Sequence, residues 1–75
     1  GGAEGGLLAP MPGKVIALLA EPGKQVEKGA PLLVLEAMKM EHTITAPAAG
    51  TLVSFRFGVG DQVSDGAELV EFAAG

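Results

Sequence analysis

Gly23-Lys24-Gln25-Val26-Glu27-Lys28-Gly29-Ala30-Pro31-Leu32 and Gly60-Asp61-Gln62-Val63-Ser64-Asp65-Gly66-Ala67-Glu68-Leu69 are one pattern written twice, 37 positions apart (23 to 60). At the same displacement Ala9, Pro10 and Gly13 fall on Ala46, Pro47 and Gly50, and Val15-Ile16 falls on Leu52-Val53. Each half reads Ala-Pro-x-x-Gly, an apolar run, Gly-x-Gln-Val-x-x-Gly-Ala, then a second apolar run. Glycines at matching offsets mark shared turns. A solenoid needs three or more stacked units, so two copies predict a pseudo-twofold axis instead.

The apolar runs are short and punctuated by glycine and proline, which favours strands over helices. Strands are expected near 7–9, 13–20, 25–27, 32–37, 40–46, 50–57, 62–64 and 67–73. Leu32-Leu33-Val34-Leu35 is a continuous apolar run that periodicity alone does not assign, but its length and the preceding Gly29 and Pro31 suit a strand. Two small packed sheets, a flattened all-β barrel or sandwich, would bury these runs. Gly1–Gly6, four of whose residues are glycine, reads as a flexible tether, leaving residues 7–75 as the folded domain.

Seventy-five residues make one small domain, with little room for an enclosed catalytic cleft. With no cysteine there is no disulfide, thiolate metal site or catalytic thiol. A net charge of −4 argues against nucleic acid, which needs clustered Lys and Arg. The longest apolar run, Val15–Ala20, is far shorter than a membrane span.

One segment has no counterpart in the second half: Leu35-Glu36-Ala37-Met38-Lys39-Met40-Glu41-His42-Thr43-Ile44, which joins the two repeats. Strands on either side leave two residues for the connection, which predicts a hairpin with Met38 and Lys39 at its tip. Such turns need positive φ and prefer Asn-Gly, Asp-Gly or Gly-x. Met-Lys breaks that rule, and local rules are broken most often at functional sites. The tip would hold the Lys39 amine far from the body. Met38 and Met40 read either as core filling or, with at least one of them partly exposed beside an outward lysine, as a small soft platform for a partner protein. Glu36 and Glu41 flank the turn as solvated strand-end charges or as recognition groups. Lys14, Lys24 and Lys28 read as ordinary surface lysines, and His42, without a second histidine, as a structural or surface residue.

At these residues the sequence resembles the biotinyl domains of biotin-dependent carboxylases, whose hallmark Ala-Met-Lys-Met stands here as Ala37-Met38-Lys39-Met40. Glu36, Glu41-His42-Thr43-Ile44, Ala9-Pro10-Met11-Pro12-Gly13, Pro22-Gly23 and Lys28-Gly29 also look like this family, so the resemblance covers about residues 8–72. It implies a flattened barrel of two four-stranded antiparallel sheets, with biotin attached covalently to Lys39. It also implies recognition of Glu36, Ala37, Met38, Met40 and Glu41 by partners. Those partners would be a biotin protein ligase, a biotin carboxylase domain and a carboxyltransferase subunit, in the bacterial cytoplasm or the mitochondrial matrix.

The domain itself would carry no catalytic residue and no metal. Residues 15–32 match the second half without a gap, so the thumb insertion of some acetyl-CoA carboxylase carriers has no room. The resemblance is to the C-terminal domain of acyl-CoA carboxylase α subunits, methylcrotonyl-CoA or propionyl-CoA carboxylase above all; geranyl-CoA and broad acyl-CoA carboxylases stay open. Two rival readings are a lipoyl carrier, which shares the fold but typically has Asp-Lys-Ala at the tip, and an unmodified interaction domain.

Overall fold

The computed structural model describes residues 5–75. It contains eight strands: β1 (Gly5–Leu8), β2 (Gly13–Leu18), β3 (Gln25–Val26), β4 (Pro31–Ala37), β5 (Met40–Thr45), β6 (Gly50–Phe55), β7 (Gln62–Val63) and β8 (Glu68–Ala74). Among the described residues there is no helix. The strands form two antiparallel four-stranded sheets, ordered β1-β8-β6-β3 and β5-β4-β2-β7.

A displacement of 37 positions turns the first sheet into the second, forward for β1 and β3, which fall on β5 and β7, and backward for β6 and β8, which fall on β2 and β4. Neither half closes a sheet alone. β3 from the first half pairs with β6, and β7 from the second half pairs with β2. The correspondence reaches single hydrogen bonds. Gly23 N–H donates to the Leu52 carbonyl at 2.7 Å, and Gly60 N–H donates to the Val15 carbonyl at 2.7 Å. Both glycines hold positive φ, 87° and 96°, which explains their recurrence.

The core is paired in the same way. The largest fully buried side chains are Val15 and Leu52, Leu32 and Leu69, Leu33 and Val70, and Leu35 and Phe72, four pairs related by the repeat. Leu32 and Leu33 are adjacent yet both buried, because the β4–β5 register shifts between Pro31 and Leu33. That irregularity lets neighbouring side chains face one side, which simple alternation forbids. It accounts for the unbroken apolar run in the sequence.

The strands lie close to their expected positions, with one correction. Gly5 and Gly6 are not tether: they belong to β1, opposite Phe72 and Glu71. An edge strand needs only backbone groups to complete the ladder along β8, and glycine supplies them. The remainder of the expected tether, residues 1–4, lies outside the described residues.

Gly13 and Gly50 are required for close approach. A Cβ at Gly50 would run into the Ala73 carbonyl oxygen and lie 2.8 Å from Ala74 Cα, both backbone atoms. At Gly23 an added Cβ meets nothing within 4 Å, and only the positive φ opposes it. Urea denaturation should therefore rank the two alanine variants. Gly23→Ala is expected to lose about 1–2 kcal/mol, the left-handed backbone penalty. Gly50→Ala is expected to lose more, about 2–4 kcal/mol or the fold itself, from overpacking against backbone.

Candidate functional site

Strands β4 and β5 are joined by two residues, Met38 and Lys39, across the closing pair Ala37 and Met40. Both tip residues have positive φ, 53° and 63°. This is the signature of a type I′ turn, whose twist suits a two-residue hairpin. Side chains other than glycine rarely adopt it, because Cβ crowds the following carbonyl. The hairpin is held from below. Ala37 is 4% exposed, and its methyl faces Gly13 so closely that a Cβ there would sit 3.2 Å away. Of the residues singled out around the turn, Glu36, Met38, Lys39, Met40 and Glu41 are exposed, whereas Ala37 is packed into the hairpin base.

Met38 and Met40 are 83% and 62% exposed, among the most exposed large apolar side chains described. Neither fills the core. Lys39 lies between them, and the ion pairs among the described residues belong to Arg56, which binds Glu68 at 2.9 Å and Glu71 at 3.1 Å on the other sheet. The Lys39 amine is therefore free of carboxylate partners among the described residues. His42 sits opposite Leu35 on β5, half-buried, away from the tip.

The repeat supplies an internal comparison. Cross-strand pairing aligns Gln62, Lys14, Glu36 and Glu41 in one exposed row across the sheet, just below the hairpin. In the other sheet the described residues of the equivalent row are Gln25, Thr51 and Ala73, all three uncharged. An open groove beside the hairpin, lined by Pro12, Gly13, Lys14, Glu36 and Gln62, has a mate lined by Gln25, Val26, Ala49 and Gly50. The groove is thus a product of the fold, while Lys14, Glu36 and the lysine tip have no charged counterpart at the other pole. Sequence reasoning passed over Lys14 and Gln62 as part of this face. The available signal was that Lys14 replaces Thr51, and Glu36 replaces Ala73, within otherwise matching repeats.

An exposed primary amine on a strained tip, with no enclosed cleft and no metal-ligand cluster among the described residues, suits covalent attachment of a group that acts elsewhere. A family model described as biotin-requiring enzyme matches residues 6–72. The chain belongs to that family. It is 50% identical over 66 residues to the mitochondrial methylcrotonoyl-CoA carboxylase subunit alpha of Glycine max, covering 88% of this chain and 9% of that protein. It is 46% identical over 65 residues to the biotin carboxyl carrier protein of acetyl-CoA carboxylase of Solanum lycopersicum, covering 87% of this chain and 93% of that one.

A solved single-chain, multi-domain long-chain acyl-CoA carboxylase superposes with a TM-score of 0.88 at 38% identity, over 96% of this chain and 7% of that one. The chain thus spans about a tenth of the carboxylase subunits it matches. It is a biotin carrier domain, a non-catalytic module whose cofactor is covalent biotin. The site fits that group: a free amine on an exposed tip can form an amide without disturbing the core.

Because the tip is strained, replacing Met38-Lys39 by Asn-Gly should stabilise the fold. The double variant is expected to gain about 1–3 kcal/mol in urea or thermal unfolding, as non-glycine residues leave the left-handed region. An unchanged or lowered stability would show that the native tip is relaxed.

Proposed function

We propose that Lys39 is the biotin attachment site and that a separate biotin protein ligase loads it. The loaded domain then serves a biotin carboxylase site and a carboxyltransferase site acting on an acyl-CoA, with methylcrotonyl-CoA or propionyl-CoA favoured. The observation that carries this reading is the Lys39 amine, held out on a positive-φ turn between two exposed methionines. In loading, the deprotonated Nζ attacks the acyl carbonyl of biotinyl-adenylate, AMP leaves, a proton is lost and an amide forms. Activation comes from the ligase, since no base among the described residues accepts a hydrogen bond from this amine.

Biotin supplies a ureido nitrogen that takes up and releases a carboxyl group. The protein residues supply position. The rigid sheets hold the attachment point clear of the body, and tethering raises its effective concentration at both distant sites. Glu36 and Glu41 present carboxylates for ligase recognition, and Met38 and Met40 present apolar contacts. The mitochondrial carboxylase subunits among the relatives support a place in the mitochondrial matrix.

Intact-mass spectrometry after incubation with a biotin ligase, ATP and biotin should show one biotinyl increment, lost in Lys39→Arg. A lipoyl increment, or none with an active ligase, would refute the assignment. Met38→Ala and Met40→Ala should change folding stability by less than about 0.5 kcal/mol, since both side chains are exposed. They should lower either loading or later carboxyl transfer; a collapse in melting temperature would mean that the methionines support the core.

A further inference from the structure

The chain has no cysteine, tryptophan or tyrosine, and its three methionines are Met11, Met38 and Met40. Its most readily oxidised groups are therefore three thioethers. The fold distributes them unequally. Met11 is half-buried beside β2, whereas Met38 and Met40 stand 83% and 62% exposed on either side of Lys39. The turn enforces this exposure. Its positive φ values carry the tip outward, and the space beneath it is already filled by Ala37 against Gly13.

We infer that the thioethers of Met38 and Met40 form a second modification site on the hairpin, each taking one oxygen atom from a peroxide, and that the oxidised hairpin is a poor substrate for biotin loading. This rests on the reading of Lys39 as the loaded residue. In each step a sulfur lone pair attacks one oxygen of hydrogen peroxide, the O–O bond breaks, the sulfoxide forms and water leaves. Sulfur loses two electrons and the peroxide gains them. The reverse reaction needs a dithiol reductant, which becomes a disulfide as the sulfoxide oxygen departs as water.

The consequence follows from polarity. A ligase that brings this amine to an acyl-adenylate must close around the two side chains beside it. As thioethers they are flexible and apolar. As sulfoxides they are chiral and strongly dipolar, and an acceptor pressed into an apolar contact without a donor is costly. The folded body has no part in this, because neither side chain belongs to the buried cluster. Oxidation would mark the hairpin and leave the barrel unchanged.

Trypsin separates the three sites. Cleavage after Lys14, Lys24, Lys28, Lys39 and Arg56 leaves Met11, Met38 and Met40 on three different peptides. The unloaded domain is treated with graded hydrogen peroxide, each peptide is followed by mass, and the domain is then offered to a biotin ligase. Met38 and Met40 should each gain one oxygen before Met11 does, with the melting temperature unchanged. The loading rate should fall about tenfold, as for one unpaired polar contact at the interface. Methionine sulfoxide reductases should restore it, and Met38→Leu with Met40→Leu should make loading indifferent to peroxide.

Oxidation of Met11 at an equal rate, or undiminished loading of the doubly oxidised domain, would overturn the inference. Failure of the untreated domain to load would instead refute the assignment of Lys39, while the order of oxidation would still test the exposure argument.

Discussion

Everything in this molecule depends on a shared core of eight side chains that two repeats must build together. Val15, Leu32, Leu33 and Leu35 come from the first repeat; Leu52, Leu69, Val70 and Phe72 come from the second. A chain of this size has barely enough apolar surface to support a fold. Halving it would leave four large buried side chains in each part. Strand exchange between the sheets, β3 beside β6 and β7 beside β2, makes the halves inseparable. Rigidity at the lysine is thus a property of the whole barrel. The hairpin is the end of β4, and β4 contributes three of the eight core side chains.

The same symmetry separates what the fold requires from what function adds. Grooves, bulges, glycine turns and close backbone approaches occur twice, so each is explained by architecture. Lys14, Glu36 and the Met38-Lys39 tip occur once. The barrel tolerates an unfavourable turn because cross-strand pairing on both sides over-determines it, from Ala37 opposite Met40 back to Val34 opposite Thr43. Local strain of this kind persists only where surrounding structure holds it. Here that structure is a ladder anchored in the buried cluster.

Much of this was legible in the sequence because the signals were punctuation. Gly23, Gly29, Gly60 and Gly66 mark turns by their spacing, and all four have positive φ. The two-residue tip followed from the interval between two apolar runs. Three things were hidden. Gly5 and Gly6 read as linker because an edge strand made of glycine carries no hydrophobic pattern. The inward placement of both Leu32 and Leu33 depends on a register shift, which is a relation between strands and has no local signature. The alignment of Lys14 with Glu36 and Gln62 depends on pairing partners 22 and 48 positions away (14 to 36 and 14 to 62). The repeat held a clue to it, in the mismatch between Lys14 and Thr51, since differences between duplicated halves concentrate where their duties differ.

The pseudo-twofold axis also has a mechanical consequence. Gly75 is the repeat mate of Met38, so the outer ends of β1 and β8 occupy, in one sheet, the corner that the lysine hairpin occupies in the other. Gly5 lies opposite Phe72, next to where β8 finishes. A pull delivered through these two ends would unzip β1 from β8 one hydrogen bond at a time, a soft mode of loading. The sheet bearing Lys39 would receive that tension along the chain, from β1 into β2 and from β8 back into β7, as well as through side chains meeting across the core.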